Sequence, residues 1–169
     1  MIAVKRFALI SLLAFLAVTG PAGAGRPEPP GDGTLTVDNG FVKIFISGKG
    51  ALIGHFDSGY VQIKDPKPDD GTGPIVNGAE QARDINAKTT RWSGTDVRFR
   101  MIGGTFVITI VARNVDLSVV GKAAVTIQGL GTPNDGTYSV NGGDPQDVPS
   151  PFPDVFQLVG APLARVTGG

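Results

Sequence analysis

The chain has 169 residues, and its 15 basic and 15 acidic side chains give a formal net charge of zero. Lys5 and Arg6 lie in a predicted signal peptide, so the chain after cleavage has two more acidic than basic residues. A weak and mixed charge gives no electrostatic case for binding nucleic acid or an anionic membrane surface. There is no cysteine, which excludes disulfides, thiolate zinc sites and a cysteine nucleophile.

Residues 1–24 have the pattern of an export signal. Two basic residues precede the apolar run 7–18, and Ala22-Gly23-Ala24 gives the small-x-small pattern that a signal peptidase cleaves. The apolar run is shorter than the roughly 20 residues that a membrane-spanning helix needs. We therefore expect residues 1–24 to be removed, no membrane span to remain, and the protein to be secreted into the periplasm or the extracellular space.

The rest of the chain predicts one all-β domain. Residues 25–33 are rich in Pro and Gly and predict a flexible leader. Over 34–169, short apolar runs alternate with turn residues, in a chain with 25 Gly and 13 Pro. The one helical candidate is Gly78–Asn86, where Asn77 could cap the first turn. The predicted strands, in chain order, are 35–37, 41–46, 52–56, 60–63, 96–101, 105–111, 115–120, 123–128, 137–140 and 155–159.

The chain repeats itself after 64 positions. The shift aligns Val42, Ile44 and Ile46 with Phe106, Ile108 and Ile110, and one inserted residue aligns Pro68-Asp69-Asp70-Gly71-Thr72 with Pro133-Asn134-Asp135-Gly136-Thr137. The pattern predicts a duplicated β-meander, at about 37–77 and 101–142. A small sheet with one apolar face is not stable alone, so the copies are expected to pack face to face as an antiparallel β-sandwich. A partly closed β-barrel is the alternative.

A set of aromatic and basic residues predicts a ligand-binding face. Trp92 is the only tryptophan, and Arg98 and Arg100 follow it at even spacing, on one strand face. Tyr60 and Tyr138 could extend this platform. An exposed aromatic ring beside arginines can stack on sugar rings, which indicates a cell-wall or extracellular polysaccharide, or an envelope protein, as partner. For a lone tryptophan between strands the favoured interpretation nevertheless places Trp92 in the core and leaves the arginines as a solvated face that protects the sheet from edge pairing.

Aspartates near turns raise the question of a metal. Asp-Gly-Thr occurs at 32–34, 70–72 and 135–137, and this tripeptide is typical of turns. Asp65, Asp69 and Asp70 lie close together in the sequence and could bind calcium, the only cofactor that the sequence indicates. Their spacing matches no EF-hand or nonapeptide calcium repeat, so turn formation is the favoured interpretation.

No catalytic residue is assigned. His55 is the only histidine, and strand alternation puts it on the same face as Asp57, so a His–Asp pair is possible. Asp116 lies within an apolar run, but no acid and nucleophile pair is singled out and no G-x-S-x-G motif is present. The sequence favours an exported non-catalytic protein, with a binding or structural role at the bacterial cell envelope or extracellular matrix. The alternatives are a secreted polysaccharide hydrolase using Asp carboxylates and a calcium-stabilised adhesion module.

Overall fold

A computed structural model describes residues 30–68 and 70–160, so the predicted signal peptide and most of the predicted leader lie outside the described residues. The described part is all-β and antiparallel, as predicted, and contains no helix that could cross a membrane. Its sheet has nine strands and is not closed into a barrel. The strands are β1 (Gly33–Asp38), β2 (Phe41–Lys64), β3 (Ile75–Asn77), β4 (Gln81–Asn86), β5 (Thr89–Met101), β6 (Thr105–Gly129), β7 (Thr137–Val140), β8 (Gln146–Asp147) and β9 (Asp154–Leu158).

The helix predicted at Gly78–Asn86 is wrong. Gly78 has a φ of 78° and ends the preceding strand, and residues 81–86 form β4. This strand pairs with β5, from Gln81 opposite Ser93 to Asn86 opposite Thr89. The segment has only weak helical propensity, so pairing with the edge of an existing sheet determines its conformation.

The two segments that the predicted repeat aligns contain the two long strands, β2 and β6. They pair along their length, from Val42 opposite Gly129 to Lys64 opposite Val107. Residues 41–49 also pair, on their other edge, with 105–113. Segment 105–113 therefore lies between 41–49 and 58–64, which run parallel to each other. The segments 41–49 and 58–64 lie in one layer, on either side of 105–113. The residues of β2 that join 41–49 to 58–64 must therefore run back through a second layer, and the sheet folds into a two-layered sandwich.

This pairing differs from the meander expected within each copy. The successive segments of β2 pair with β6 and β5 and not with one another. The predicted apolar alternation is nevertheless correct, since the aligned positions of both copies are at most 1% exposed: Val42, Ile44, Ile46, Phe106, Ile108 and Ile110. The aligned segments thus form two interlocked strands, and each strand contributes to both layers.

Glycines form the corners where the strands pass from one layer to the other. Gly50 lies opposite Gly121, with φ values of 154° and 156°, and Gly59 lies opposite Gly94, with 141° and 157°. A Cβ on Gly50 or Gly121 would come within 3.0 Å of the backbone of the facing strand. These glycines therefore allow both the backbone conformation and the close approach of strands at the fold line.

The core fills the space between the layers, and its position determines which residues remain outside. Phe56 and Phe99 are at most 2% exposed, with ring centroids 6.1 Å apart. The ring of Phe99 covers Gly54, where a Cβ would be too close to it. In the layer that contains the middle segment of β2, alternation then directs every second side chain away from this core. These outward-facing residues form the surface that contains the candidate functional site.

Candidate functional site

A groove of about 580 Å³ crosses the outer face of this layer. Its strands follow in the order β1, β6, β2, β5 and β3. Side chains directly opposite each other on antiparallel strands share a face, so the register defines two rows across the groove. The first row is Thr36, Ser118, Ile53, Arg100 and Ile75; the second is Asp116, His55, Arg98 and Asn77.

His55 lies among three carboxylates at one side of the groove. Its Nε2 is 2.9 Å from Oδ1 of Asp96 and 4.0 Å from Oδ1 of Asp57, and its Nδ1 is 3.7 Å from Oδ2 of Asp116. Arg98 donates a longer hydrogen bond of 3.4 Å to the same Oδ1 of Asp96. The shortest contact is the one to Asp96, so the fold pairs the histidine with that residue.

The predicted His55–Asp57 contact is longer than a hydrogen bond. Asp57 instead accepts a hydrogen bond of 2.7 Å from Nδ2 of Asn114, at the corner of β6. Asp96 has a φ of 51° at the corner of β5, which brings its carboxylate to the histidine. The hydrogen bond from His55, followed by the charge of Arg98, lowers the pKa of Asp96 below its usual value. Asp96 therefore stays a carboxylate through neutral pH.

Arg98 and Arg100 are the two predicted ligand-binding residues that reach the groove, where both are exposed. Trp92 is half-buried and packs against the core, opposite the fully buried Val61. Tyr60 lies under a guanidinium, with Cζ of Arg91 4.3 Å from its ring centroid. Trp92 and Tyr60 therefore lie apart from Arg98 and Arg100. The side chains that neighbour these two arginines in the groove are other residues.

The groove combines apolar and polar groups within a small area. Ile53 is 60% exposed and Ile75 is 40% exposed, beside two guanidinium groups and the hydroxyls of Thr36 and Ser118. Such a mixture can bind a ligand through both apolar contact and hydrogen bonds. No family model, curated protein or solved structure matches this chain. The chemistry of the groove is therefore inferred from its own residues.

Tyr138 belongs to a different part of the molecule. It is 6% exposed, its ring stacks on Phe156 with centroids 6.0 Å apart, and its hydroxyl donates a 2.8 Å hydrogen bond to Oδ2 of Asp154. Burial, with the carboxylate of Asp154, raises the pKa of Tyr138 to about 12. In this position its ring joins β7 to β9 and lines a separate depression of about 440 Å³, apart from the groove that holds Arg98 and Arg100.

Tyr138 should make stability depend on pH in alkaline solution. Its pKa is raised from 10.0 in the unfolded chain, so its contribution is fully present below pH 10 and is lost as the pH rises towards 12. We expect the free energy of unfolding to fall over this range, and to fall less steeply in Tyr138→Phe. Urea unfolding at a series of pH values measures both slopes. A Tyr138→Phe slope equal to that of wild type would contradict the prediction.

The aspartates suggested for calcium make the contacts of turn residues. Asp65 is 7% exposed; its Oδ1 accepts a 2.9 Å hydrogen bond from the Lys67 amide, while its Oδ2 has no hydrogen-bond partner among the described residues. Asp70 accepts hydrogen bonds from the amide and hydroxyl of Thr72, which lower the pKa of Asp70. Asp69 lies outside the described residues. Within the described ranges no group of three or more acidic, His or Cys residues could hold a metal, and calcium binding stays a hypothesis.

Proposed function

We propose that the protein is an exported, non-catalytic binding module of the bacterial cell envelope or extracellular matrix, and that the groove is its ligand-binding surface. The observation that carries this proposal is the groove itself, about 580 Å³ of concave surface on the face of a paired sheet. Ligand pockets typically have volumes of roughly 300–1,000 Å³. The strands on either side fix the backbone of every lining residue, so the surface is preorganised.

Exposed aliphatic side chains support the same conclusion. Ile53 also lines a second depression of about 240 Å³. The lining of this depression includes Ile102, which is 72% exposed, and Val120, which is 45% exposed. Apolar side chains clustered on a polar face mark sites of interaction more often than isolated exposed ones do. Burial of this patch by a ligand would release water and contribute to affinity.

The partner is proposed to be a cell-wall or extracellular polysaccharide or an envelope protein. Trp92 lies on the core side of its strand, so ring stacking is not the basis of recognition in this proposal. Arg98 and Arg100 would instead donate hydrogen bonds to the ligand, while Ser118 and Thr36 offer hydroxyls that can donate or accept. The secreted or periplasmic location is proposed from the predicted export signal.

A polysaccharide hydrolase is the second candidate, and the cluster around His55 favours it. Three carboxylates lie within 4.0 Å of the imidazole, on the rim of the groove. Glycoside hydrolysis needs a carboxylic acid that stays protonated beside a second carboxylate. The lowered pKa of Asp96 keeps its carboxylate ionised, which opposes the role of acid. The binding role therefore remains the first choice.

Removing the two groove arginines should weaken retention of the protein on its polymer ligand. In co-sedimentation with purified cell-wall and exopolysaccharide fractions, we expect the double variant Arg98→Ser/Arg100→Ser to bind at least about tenfold more weakly than wild type, since it loses charge-assisted hydrogen bonds. Arg83→Ser, at an exposed position of β4 outside the groove, is the matched control and should bind like wild type.

Three outcomes of this experiment would contradict the proposal. Equal retention of the double variant and the Arg83→Ser control would exclude the groove, and absence of retention on every fraction would exclude a wall or matrix polymer. Release of reducing sugars by wild type, lost in His55→Ala, would support the hydrolase instead.

A further inference from the structure

We propose that the groove binds a short zwitterionic peptide in an extended conformation, with its ammonium group beside Asp38 and Asp116 and its carboxylate on Arg100 and Arg98. This inference rests on the proposed binding function of the groove and assigns the groove a ligand of one chemical class, a small peptide, beyond the polymers proposed above. It comes from the distribution of charge across the five strands.

Opposite charges are separated along the groove. Asp38 ends β1 and Asp116 lies on the neighbouring segment of β6, where the β1–β6 register continues from Val37 opposite Leu117. Arg98 and Arg100 lie on β5. Between these two charged sides lies β2, which contributes His55 and the exposed Ile53. A ligand lying across the strands would thus meet the acidic pair on one side, the exposed Ile53 at the centre and the two arginines on the other side. The carboxylates of Asp57 and Asp96 stay beside His55 at the corner end of the groove.

The separation of the charges matches a particular length of ligand. From Asp116 in the second row to Arg100 in the first, the groove crosses two strand spacings and one two-residue step along a strand, or about 12 Å between backbone positions. The side chains and the hydrogen bonds at each end shorten this span. An extended chain rises by about 3.3–3.6 Å for each residue, so a tripeptide places its terminal ammonium and carboxylate roughly 10 Å apart. The central side chain of the tripeptide would then lie over Ile53.

The arginines differ in how free they are to bind a carboxylate. Arg98 already shares the carboxylate of Asp96 with His55. Arg100 makes no salt bridge to any residue in the described part of the chain, and it lies between Ile53 and Ile75 in the first row. A guanidinium in such a position can bind a carboxylate through two parallel hydrogen bonds. We therefore assign Arg100 as the main contact of the ligand's carboxylate.

The acidic side of the groove also determines what it rejects. A ligand carrying only negative charges would bring like charge towards Asp38 and Asp116, and one carrying only positive charges would meet the two arginines. Such mismatched pairs contribute to specificity by weakening the binding of the wrong ligand. A zwitterion with the correct polarity satisfies both sides at once.

Titration calorimetry with one tripeptide and its two blocked forms tests this inference. The probes are Ala-Leu-Ala, N-acetyl-Ala-Leu-Ala and Ala-Leu-Ala amide, titrated into the purified full chain at low salt. We expect the free tripeptide to bind, and each blocked form to bind at least about tenfold more weakly because it lacks one charge. Equal affinities for the three peptides, or no binding of the free tripeptide at millimolar concentration, would overturn the inference.

Variants connect each end of the peptide to its residue. In Arg100→Gln we expect the free tripeptide to bind nearly as weakly as its amide does to wild type, and amidation to have a much smaller further effect, since only Arg98 remains to contact the carboxylate. In Asp116→Asn the same should hold for acetylation. Arg83→Gln, outside the groove, should leave all three affinities unchanged. Persistence of the full amidation effect in Arg100→Gln would show that the carboxylate binds elsewhere and would overturn the assignment.

Failure of this inference and failure of the proposed function give different results. If the peptides do not bind but retention on wall fractions still depends on the two arginines, the groove is a binding site for another ligand and the zwitterion is excluded. If the peptides bind with the expected dependence on both ends but no wall or matrix fraction retains the protein, the zwitterion stands and the envelope polymer is excluded.

Discussion

Gly121→Ala is expected to lower the free energy of unfolding by about 4 kcal/mol or more, an effect among the largest that single substitutions produce. Gly121 is a corner residue with a φ of 156°, and it pairs with Gly33 on one side and Gly50 on the other. A Cβ there would lie 2.8 Å from Cα of Gly50 and would also meet the carbonyl of Lys49. Neither contact can be relieved by rotating a side chain, so β2 and β6 would have to separate at the fold line.

A matched substitution separates the clash from the cost of the backbone conformation. Gly142 has a φ of 66°, but a Cβ at this position meets nothing within 4 Å. Gly142→Ala should therefore lower the free energy of unfolding only by the cost of the left-handed backbone conformation, about 1–2 kcal/mol. Urea unfolding followed by circular dichroism measures both variants. If the free energy of unfolding falls no further in Gly121→Ala than in Gly142→Ala, the close contact between strands at the corner does not add to the cost of the substitution, which would contradict the prediction.

The same corners explain which parts of the fold could be predicted from the sequence. Apolar alternation in each short segment is a local property, and it correctly predicted the buried faces at Val42–Ile46 and Phe106–Ile110. From the sequence alone, the glycines between these segments predict turns between separate strands. In the structure the chain changes layer at Gly50 and Gly59 and continues in the same strand. Which strand pairs with which is a long-range property, and periodicity does not contain it.

Trp92 packs against the core, as the favoured interpretation expects, and a binding face shared with Arg98 and Arg100 would require that β5 keep one parity throughout. In β5 the core-facing residues are Trp92 before the corner and Val97 and Phe99 after it, so the inward positions change from even to odd at Gly94–Asp96. Trp92 and Arg98 have the same parity but lie on opposite faces. The arginines were identified correctly as outward residues, because Arg98 and Arg100 share one uninterrupted segment.

The partner of His55 could not be found from local spacing. The pattern pointed to Asp57 because residues two apart on a strand share a face. Asp96 is 41 positions away, and it reaches the imidazole only because β5 pairs with β2 and bends at this residue. A site of this kind is defined by the register between strands. The sequence supplied its histidine and arginines but not their arrangement.

Phe56→Ala should destabilise the protein by about 3–5 kcal/mol, the usual cost of removing a buried phenylalanine ring. Phe56 is 0% exposed and lies between Val97 and Val115 on the neighbouring strands, with the ring of Phe99 beside it. The backbone on both sides is held by paired strands, so the cavity can collapse only partly. The loss includes the transfer energy of the ring and the contacts of the residues that lined it.

Two further variants test whether the loss of stability depends on the side-chain volume that is removed and on the burial of the position. Phe56→Leu keeps most of the apolar volume and should cost roughly 1–2 kcal/mol. Phe152→Ala removes an aromatic ring that is 80% exposed and should change stability by less than about 0.5 kcal/mol. Unfolding in urea, with the slope compared among variants, gives the three values. A cost for Phe56→Ala as small as that for Phe152→Ala would mean that the space between the layers is not close-packed at this position, and that the layer supporting the groove is held by its strand pairing alone.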